Sequence, residues 1–230
     1  MPSEKEVYES HANDYEALVS REDHEGNILK SIQEIILLEG SDVIDLGAGT
    51  GRLACLLAPY VHNLMAFDLS THMLGIANNK MKISELKNWI TAAADHRFLP
   101  IKDQSADLIV SGWSVSYLTV WSPEHWRPEA EAWLSEARRV LRKGGSIILF
   151  ESLGTGNESP QPLAHLENFT LWLNEKGFLS KWIRTDYQFE SPEVGAEAAG
   201  FFFGEEMRER ILRERITILP ECTGVWWLKV

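Results

Sequence analysis

Three glycines alternate with small residues in Gly47-Ala48-Gly49-Thr50-Gly51, directly after the apolar run Asp42 to Leu46 that contains Asp45. A turn built this way lets a ligand lie against bare backbone, because side chains at those positions would block its approach. The spacing G-x-G-x-G favours a nucleotide-like ligand. It differs from the G-x-G-x-x-G of dinucleotide folds, where a diphosphate sits on a helix N-terminus. Two more carboxylates close apolar runs downstream: Asp68 follows Asn63 to Phe67, and Asp95 follows Trp89 to Ala94. A carboxylate at a strand end accepts hydrogen bonds from hydroxyls or amines. Each also has a plainer use, Asp68 as a charge at a helix N-terminus and Asp95 as a solvated turn residue. Further on, Trp113, Tyr117, Trp121, His125 and Trp126 combine faces that stack on planar molecules with one imidazole. The same rings serve equally well as a packed lid, since nine tryptophans cannot all face a ligand.

The elements that position these residues alternate between helical and extended periodicity. Tyr8 to Val19 is predicted as a polar helix. Ile28, Leu29, Ile32, Ile35 and Ile36 mark a second, with Gly40 as its C-terminal cap. Strands are predicted at Asp42 to Leu46, Asn63 to Phe67, Trp89 to Ala94, Asp107 to Val110 and Ser146 to Phe150. Helices connect them: Arg52 to Leu57, a segment capped by Ser70 with Met73, Leu74 and Ala77, and Glu129 to Leu141. Strands joined by helices run parallel. The last third adds a helix at Leu163 to Lys176, an extended run at Phe178 to Phe189, helices at Pro192 to Ala199 and Glu205 to Arg215, and a strand at Thr223 to Val230. Periodicity leaves open whether that final strand, with Trp226 and Trp227, is buried in the sheet or exposed at a dimer edge. The expected fold is a doubly wound, mostly parallel seven-stranded α/β sheet with helices on both faces and an antiparallel C-terminal strand pair.

Composition narrows the partners. The 230 residues are 44% hydrophobic and 24% charged, an ordinary globular mixture. A net charge of −12 without a clustered basic groove argues against nucleic acid. Cys55 and Cys222 fit neither a zinc pattern nor a disulfide framework, and no metal is expected. The polar start lacks signal-peptide order, and no apolar run approaches the roughly 20 residues of a membrane span. A soluble, cytoplasmic protein is the expectation, with no membrane partner.

Asp45, Gly47, Gly49 and Gly51 match, position for position, the D/E-x-G-x-G-x-G motif of the class I S-adenosylmethionine-dependent methyltransferases, which this stretch resembles. Later markers follow in the family's order: Asp68, Asp95, Phe98-Leu99-Pro100 with Ala106 to Val110, and Leu134 to Gly145. Ala106 stands where an aromatic residue is common. The resemblance runs from Tyr8 to Ser152. It implies one domain over residues 1–230, with N-terminal cap helices at 1–40, a cofactor-binding half at 41–152 and a substrate-side half at 153–230. It implies S-adenosylmethionine as cofactor, with Gly47, Ala48 and Gly49 against its methionine and ribose. Asp68 then takes the ribose hydroxyls, Asp95 with His96 the adenine, Leu69 and Met73 pack beside them, and Ser111 completes the site. Tyr15, in a segment similar to the family's entry helix, would close over the cofactor and bond its carboxylate.

The acceptor is expected to be a small molecule beside Trp113, Tyr117 and Trp121. His125 is the candidate base, ahead of Glu151 and His165. The Asn/Asp-Pro-Pro-aromatic signature of amino-DNA methylases is absent, since the chain reads Ser111-Gly112-Trp113-Ser114 there. Two other readings stay open: a cofactor-binding partner or sensor without catalysis, and a nicotinamide-dependent oxidoreductase, which the glycine spacing disfavours.

Overall fold

The computed structural model describes residues 11–161 and 163–230. Its strands are β1 (Asp42–Leu46), β2 (Asn63–Asp68), β3 (Trp89–Ala93), β4 (Ala106–Gly112), β5 (Leu141–Thr155), β6 (Leu179–Arg184), β7 (Tyr187–Gln188), β8 (Ile218–Leu219) and β9 (Glu221–Lys229). Its helices are α1 (Ala12–Val19), α2 (Asn27–Gln33), α3 (Arg52–Leu57), α4 (Thr71–Ile83), α5 (Tyr117–Trp121), α6 (Trp126–Val140), α7 (Ala164–Glu175), α8 (Pro192–Phe203) and α9 (Glu205–Glu214).

Seven strands form one sheet in the order β3-β2-β1-β4-β5-β9-β6. Neighbours from β3 to β5 pair in parallel, while β9 runs antiparallel to both β5 and β6. The expected sheet is therefore present, with β6–β9 as its antiparallel pair. β9 is an interior strand, with Trp226 buried and Trp227 half-buried, which answers the question that periodicity left open. The sheet reverses its order at β1 and β4. In open α/β sheets the crevice beyond the carboxyl ends of the strands at such a switch takes ligands.

Alternation along the strands divides the core between the two faces. Ile44, Leu46, Ile109, Ile147 and Leu149 point to one face and pack with Trp133 of α6 and Phe169 and Trp172 of α7. Val43, Leu64, Leu108, Val110 and Ile148 point to the other, against Ile28 and Ile32 of α2, Leu53 and Leu57 of α3, and Met81 of α4. Strands buried on both faces explain why β1 and β4 read as near-continuous apolar runs. A third, smaller core of Leu18, Tyr187, Phe189, Ala199, Ile211 and Leu219 joins α1 to the tail.

Several local expectations shift. The run expected at Phe178 to Phe189 breaks at Thr185: β6 stays in the main sheet and β7 leaves it to pair with β8. The aromatic segment after β4 contains the short helix α5, which its mixed composition hid. α2 ends at Gln33, and Gly40, with φ +77°, lies in the turn before β1 rather than capping the helix. The entry helix is described from Ala12 onward; Tyr8 lies outside the described residues.

Candidate cofactor site

The carboxyl ends of β1, β2, β3 and β4 surround a cavity of about 630 Å³, within the size range of small-molecule sites. Gly47 and Gly49 follow β1 with φ +70° and +54°, a left-handed backbone that glycine adopts without strain. A Cβ on Gly47 would stand 1.9 Å from Ser114 Oγ, so the bare backbone is also a steric requirement. Gly47→Ala is expected to cost about 1–2 kcal/mol from the left-handed backbone alone and to displace Ser114. A lowered melting temperature with weakened S-adenosylhomocysteine binding is the expected result; an unchanged melting curve would contradict it.

Asp68 ends β2 and locks this loop. Its Oδ2 accepts the Gly49 N–H at 2.8 Å and its Oδ1 the Ser70 N–H at 2.7 Å. Burial raises its pKa, and these backbone bonds, with one from Leu69, partly offset the rise. Asp45, in β1, is fully buried, and burial pushes its pKa up to about 7; the Ala54 N–H opposes the shift and the Asp68 charge adds to it. Asp45 Oδ2 has no hydrogen-bond partner, which is costly for a buried carboxylate. Asp95 lies just beyond β3 and takes Arg97 through both oxygens, at 2.9 and 2.6 Å. That guanidinium lowers the Asp95 pKa despite burial and also reaches Glu129 at 3.3 Å, tying the loop to α6. Burial lowers the pKa of His96, favouring the neutral imidazole.

Tyr15 reaches the cavity from α1, which Glu16 holds to α4 by a 2.6 Å ion pair with Lys80. Its ring centre lies 6.0 Å from that of Phe202 in α8. Leu69 lines the rim and is 68% exposed, while Met73 is buried beneath the loop. On the far side Trp113, at φ +51°, stacks on Phe150 at 6.2 Å, and Tyr117 stacks on Trp121 at 5.0 Å. All three of Trp113, Tyr117 and Trp121 line the cavity.

The cavity therefore gathers Tyr15, Gly47, Ala48, Gly49, Asp68, Leu69, Met73, Asp95, His96, Trp113, Tyr117 and Trp121. It does not gather Ser111 or His125. The Ser111 hydroxyl donates to the Leu46 carbonyl at 2.7 Å and ties β4 to β1 inside the sheet. His125 is exposed and precedes α6 as its N-cap residue, outside the lining. Glu151 is buried behind the wall, where it accepts the Ser116 N–H and hydroxyl at 3.2 and 2.7 Å. Burial raises the Glu151 pKa to about 7, against those two bonds. His165 is also outside the lining.

Arg52, Ser114, Arg97 and Glu129 line the cavity without having been singled out. Arg52 directly follows the third glycine, the one signal that pointed to it. Among the described residues no three His, Cys, Asp or Glu side chains group closely enough to hold a metal ion. Among the same residues no helix is long and apolar enough to cross a membrane.

Sheet order, glycine loop and strand-end acids together define a class I methyltransferase fold. Residues 44–149 match the family model described as a methyltransferase domain. Over that stretch, just under half of its length, the chain is similar to S-adenosylmethionine-dependent methyltransferases. It is 27% identical over 155 residues to the uncharacterized protein YafE of Escherichia coli, covering 61% of this chain and 70% of that one. It is 32% identical over 148 residues to a malonyl-[acyl-carrier protein] O-methyltransferase of Hahella chejuensis, where the match covers 62% of this chain but 47% of the relative. The matched stretch thus spans about half of that relative's length. Among solved structures, a SAM dependent methyltransferase from Aquifex aeolicus superposes with a TM-score of 0.57 at 20% identity, covering 87% of this chain and 88% of that one.

Proposed function

We propose that this protein transfers a methyl group from S-adenosylmethionine to a small-molecule acceptor. The observation that carries this reading is the convergence of Asp68, the Gly47–Gly49 backbone and the loop after β3 on one cavity at the sheet's switch point. The cavity wall suits the cofactor: the side-chain-free backbone of Gly47 and Gly49 lines it, and buried Asp45 holds a carboxylate oxygen lacking a partner. A cationic ligand offsets the cost of keeping that carboxylate charged.

In this reading Asp68 accepts the ribose hydroxyls while holding Gly49 in place, so one side chain shapes the loop and grips the ligand. Asp95 and His96 border the adenine, with Arg97 fixing the Asp95 carboxylate. Leu69 covers the rim and Met73 the floor. Tyr15 closes from α1 over the cofactor's amino-acid end. The cofactor supplies an electrophilic methyl on a sulfonium. The chain's work is to position the acceptor against it and exclude water, and Trp113, Tyr117 and Trp121 form the wall that does so. Malonyl-[acyl-carrier protein] methylation by the relative supports a metabolite acceptor.

Calorimetric titration tests the reading. Saturable binding of S-adenosylhomocysteine, with no comparable binding of NADH, is expected. Preference for NADH would favour the oxidoreductase reading.

A further inference from the structure

Arg52 lines the cavity and lays its guanidinium carbon 4.0 Å from the centre of the Trp113 ring. Trp113 itself stacks on Phe150 of β5, so Arg52 lies on the β4–β5 side, across the cavity from Asp68 and Asp95. Glu22 fixes it there: Glu22 Oε2 accepts from Arg52 Nη1 at 2.6 Å, and Glu22 Oε1 accepts the Thr185 hydroxyl at 3.0 Å. The Arg52 side chain is only 16% exposed, and its Nη2 has no hydrogen-bond partner. The other lining arginine, Arg97, is already engaged by Asp95 and Glu129. A buried guanidinium keeps its charge, and an unfilled N–H is costly, so a carboxylate is the ligand that best completes its planar fork.

Among the described residues on this side of the cavity, no carboxylate or imidazole stands unpaired to deprotonate an acceptor. Among the described lining residues after β4, Trp113 to Ser122 contain no carboxylate and no imidazole, and the carboxylate further on, Glu129, is paired with Arg97 at 3.3 Å. A nucleophile that is already an anion needs none.

Resting on the cofactor reading above, we propose that the methyl acceptor is a carboxylic acid, bound as its carboxylate at Arg52 over Trp113 and converted to a methyl ester. A lone pair on the carboxylate oxygen forms the new O–CH3 bond as the C–S bond breaks. Sulfur keeps that electron pair, and no proton moves.

Two acid–amide pairs test this without knowledge of the natural acceptor. Protein saturated with S-adenosylhomocysteine is titrated by calorimetry with benzoate and benzamide, and with malonate and malonamide. At least one acid is expected to bind about tenfold or more tighter than its amide. Arg52→Met is expected to abolish that preference while S-adenosylhomocysteine affinity stays within about threefold, and Arg52→Lys to retain part of it. Equal binding of acid and amide by the unaltered protein overturns the proposal, as does a preference that survives in Arg52→Met. A loss of S-adenosylhomocysteine affinity beyond about tenfold in Arg52→Met also overturns it, because the cofactor's own carboxylate is then the occupant. Failure of the unaltered protein to bind S-adenosylhomocysteine at all is a separate result, and it removes the cofactor reading together with this one.

Discussion

Asp68→Ala is expected to weaken S-adenosylhomocysteine binding by more than tenfold, that is by more than about 1.4 kcal/mol. Hydrogen bonds to a charged acceptor are worth about 1.5–3 kcal/mol each, and the proposed ribose contact would give Asp68 two of them. The same substitution strips acceptors from the Gly49 and Ser70 N–H groups, which Asp68 holds at 2.8 and 2.7 Å. Part of the loss would then come from a loosened loop. Asp68→Asn separates the two contributions, because it keeps the shape and one acceptor oxygen and should lose less. Calorimetry at more than one pH is the appropriate measurement, because burial raises the Asp68 pKa. Unchanged affinity in Asp68→Ala would remove the assigned ribose contact.

Asp45→Asn should act in opposite directions on stability and on binding. The Asp45 pKa rises from the ordinary 3.8 to about 7 on folding, chiefly through burial. Its contribution to stability is therefore fully present below pH 3.8 and is lost as pH rises through about 7. At pH 8 the fold carries a strained buried carboxylate, with a ceiling of about 4 kcal/mol on its cost. Asparagine removes the charge while leaving an oxygen for the Ala54 N–H. The variant should melt several degrees higher at pH 8, with the gain fading toward pH 5.

Binding should suffer, because S-adenosylmethionine carries a positive charge that favours ionised Asp45. In the unaltered protein, affinity for S-adenosylmethionine should rise from pH 6 to pH 8, and Asp45→Asn should flatten that rise. Melting curves and titrations across that range check both halves. A variant less stable at pH 8 would contradict the assigned strain.

The parts of this molecule legible in its sequence are those set by local spacing. The Gly47–Gly51 turn needs its glycines for backbone reasons, and the strands β1 and β4 announce themselves because burial on both faces makes them near-continuously apolar, with β2 and the edge strand β3 as less buried apolar runs. Asp68 and Asp95 were legible because each closes such a run. Side-chain direction was harder. Ser111 lies one residue before the end of β4, yet its hydroxyl turns into the sheet toward Leu46. Ser114, from the next turn, is the residue that meets Gly47.

Contacts between distant segments were not legible at all. Glu22, Arg52, Thr185 and Trp113 come from four separate stretches, and only folding puts them in one cluster. The tail was partly legible: its helices follow periodicity, but the break at Thr185 that sends β7 to β8 has no composition signal. Asp95 shows a further limit, since its grip on Arg97 two residues away could not be told from a free turn aspartate.

A crystal structure with S-adenosylhomocysteine bound is the most direct check. The account places its ribose on Asp68, its adenine between Leu69 and His96, and its sulfur on the Gly47 side of the cavity, facing Trp113. Density for the ligand elsewhere on the protein, or with the ribose turned away from Asp68, would contradict it.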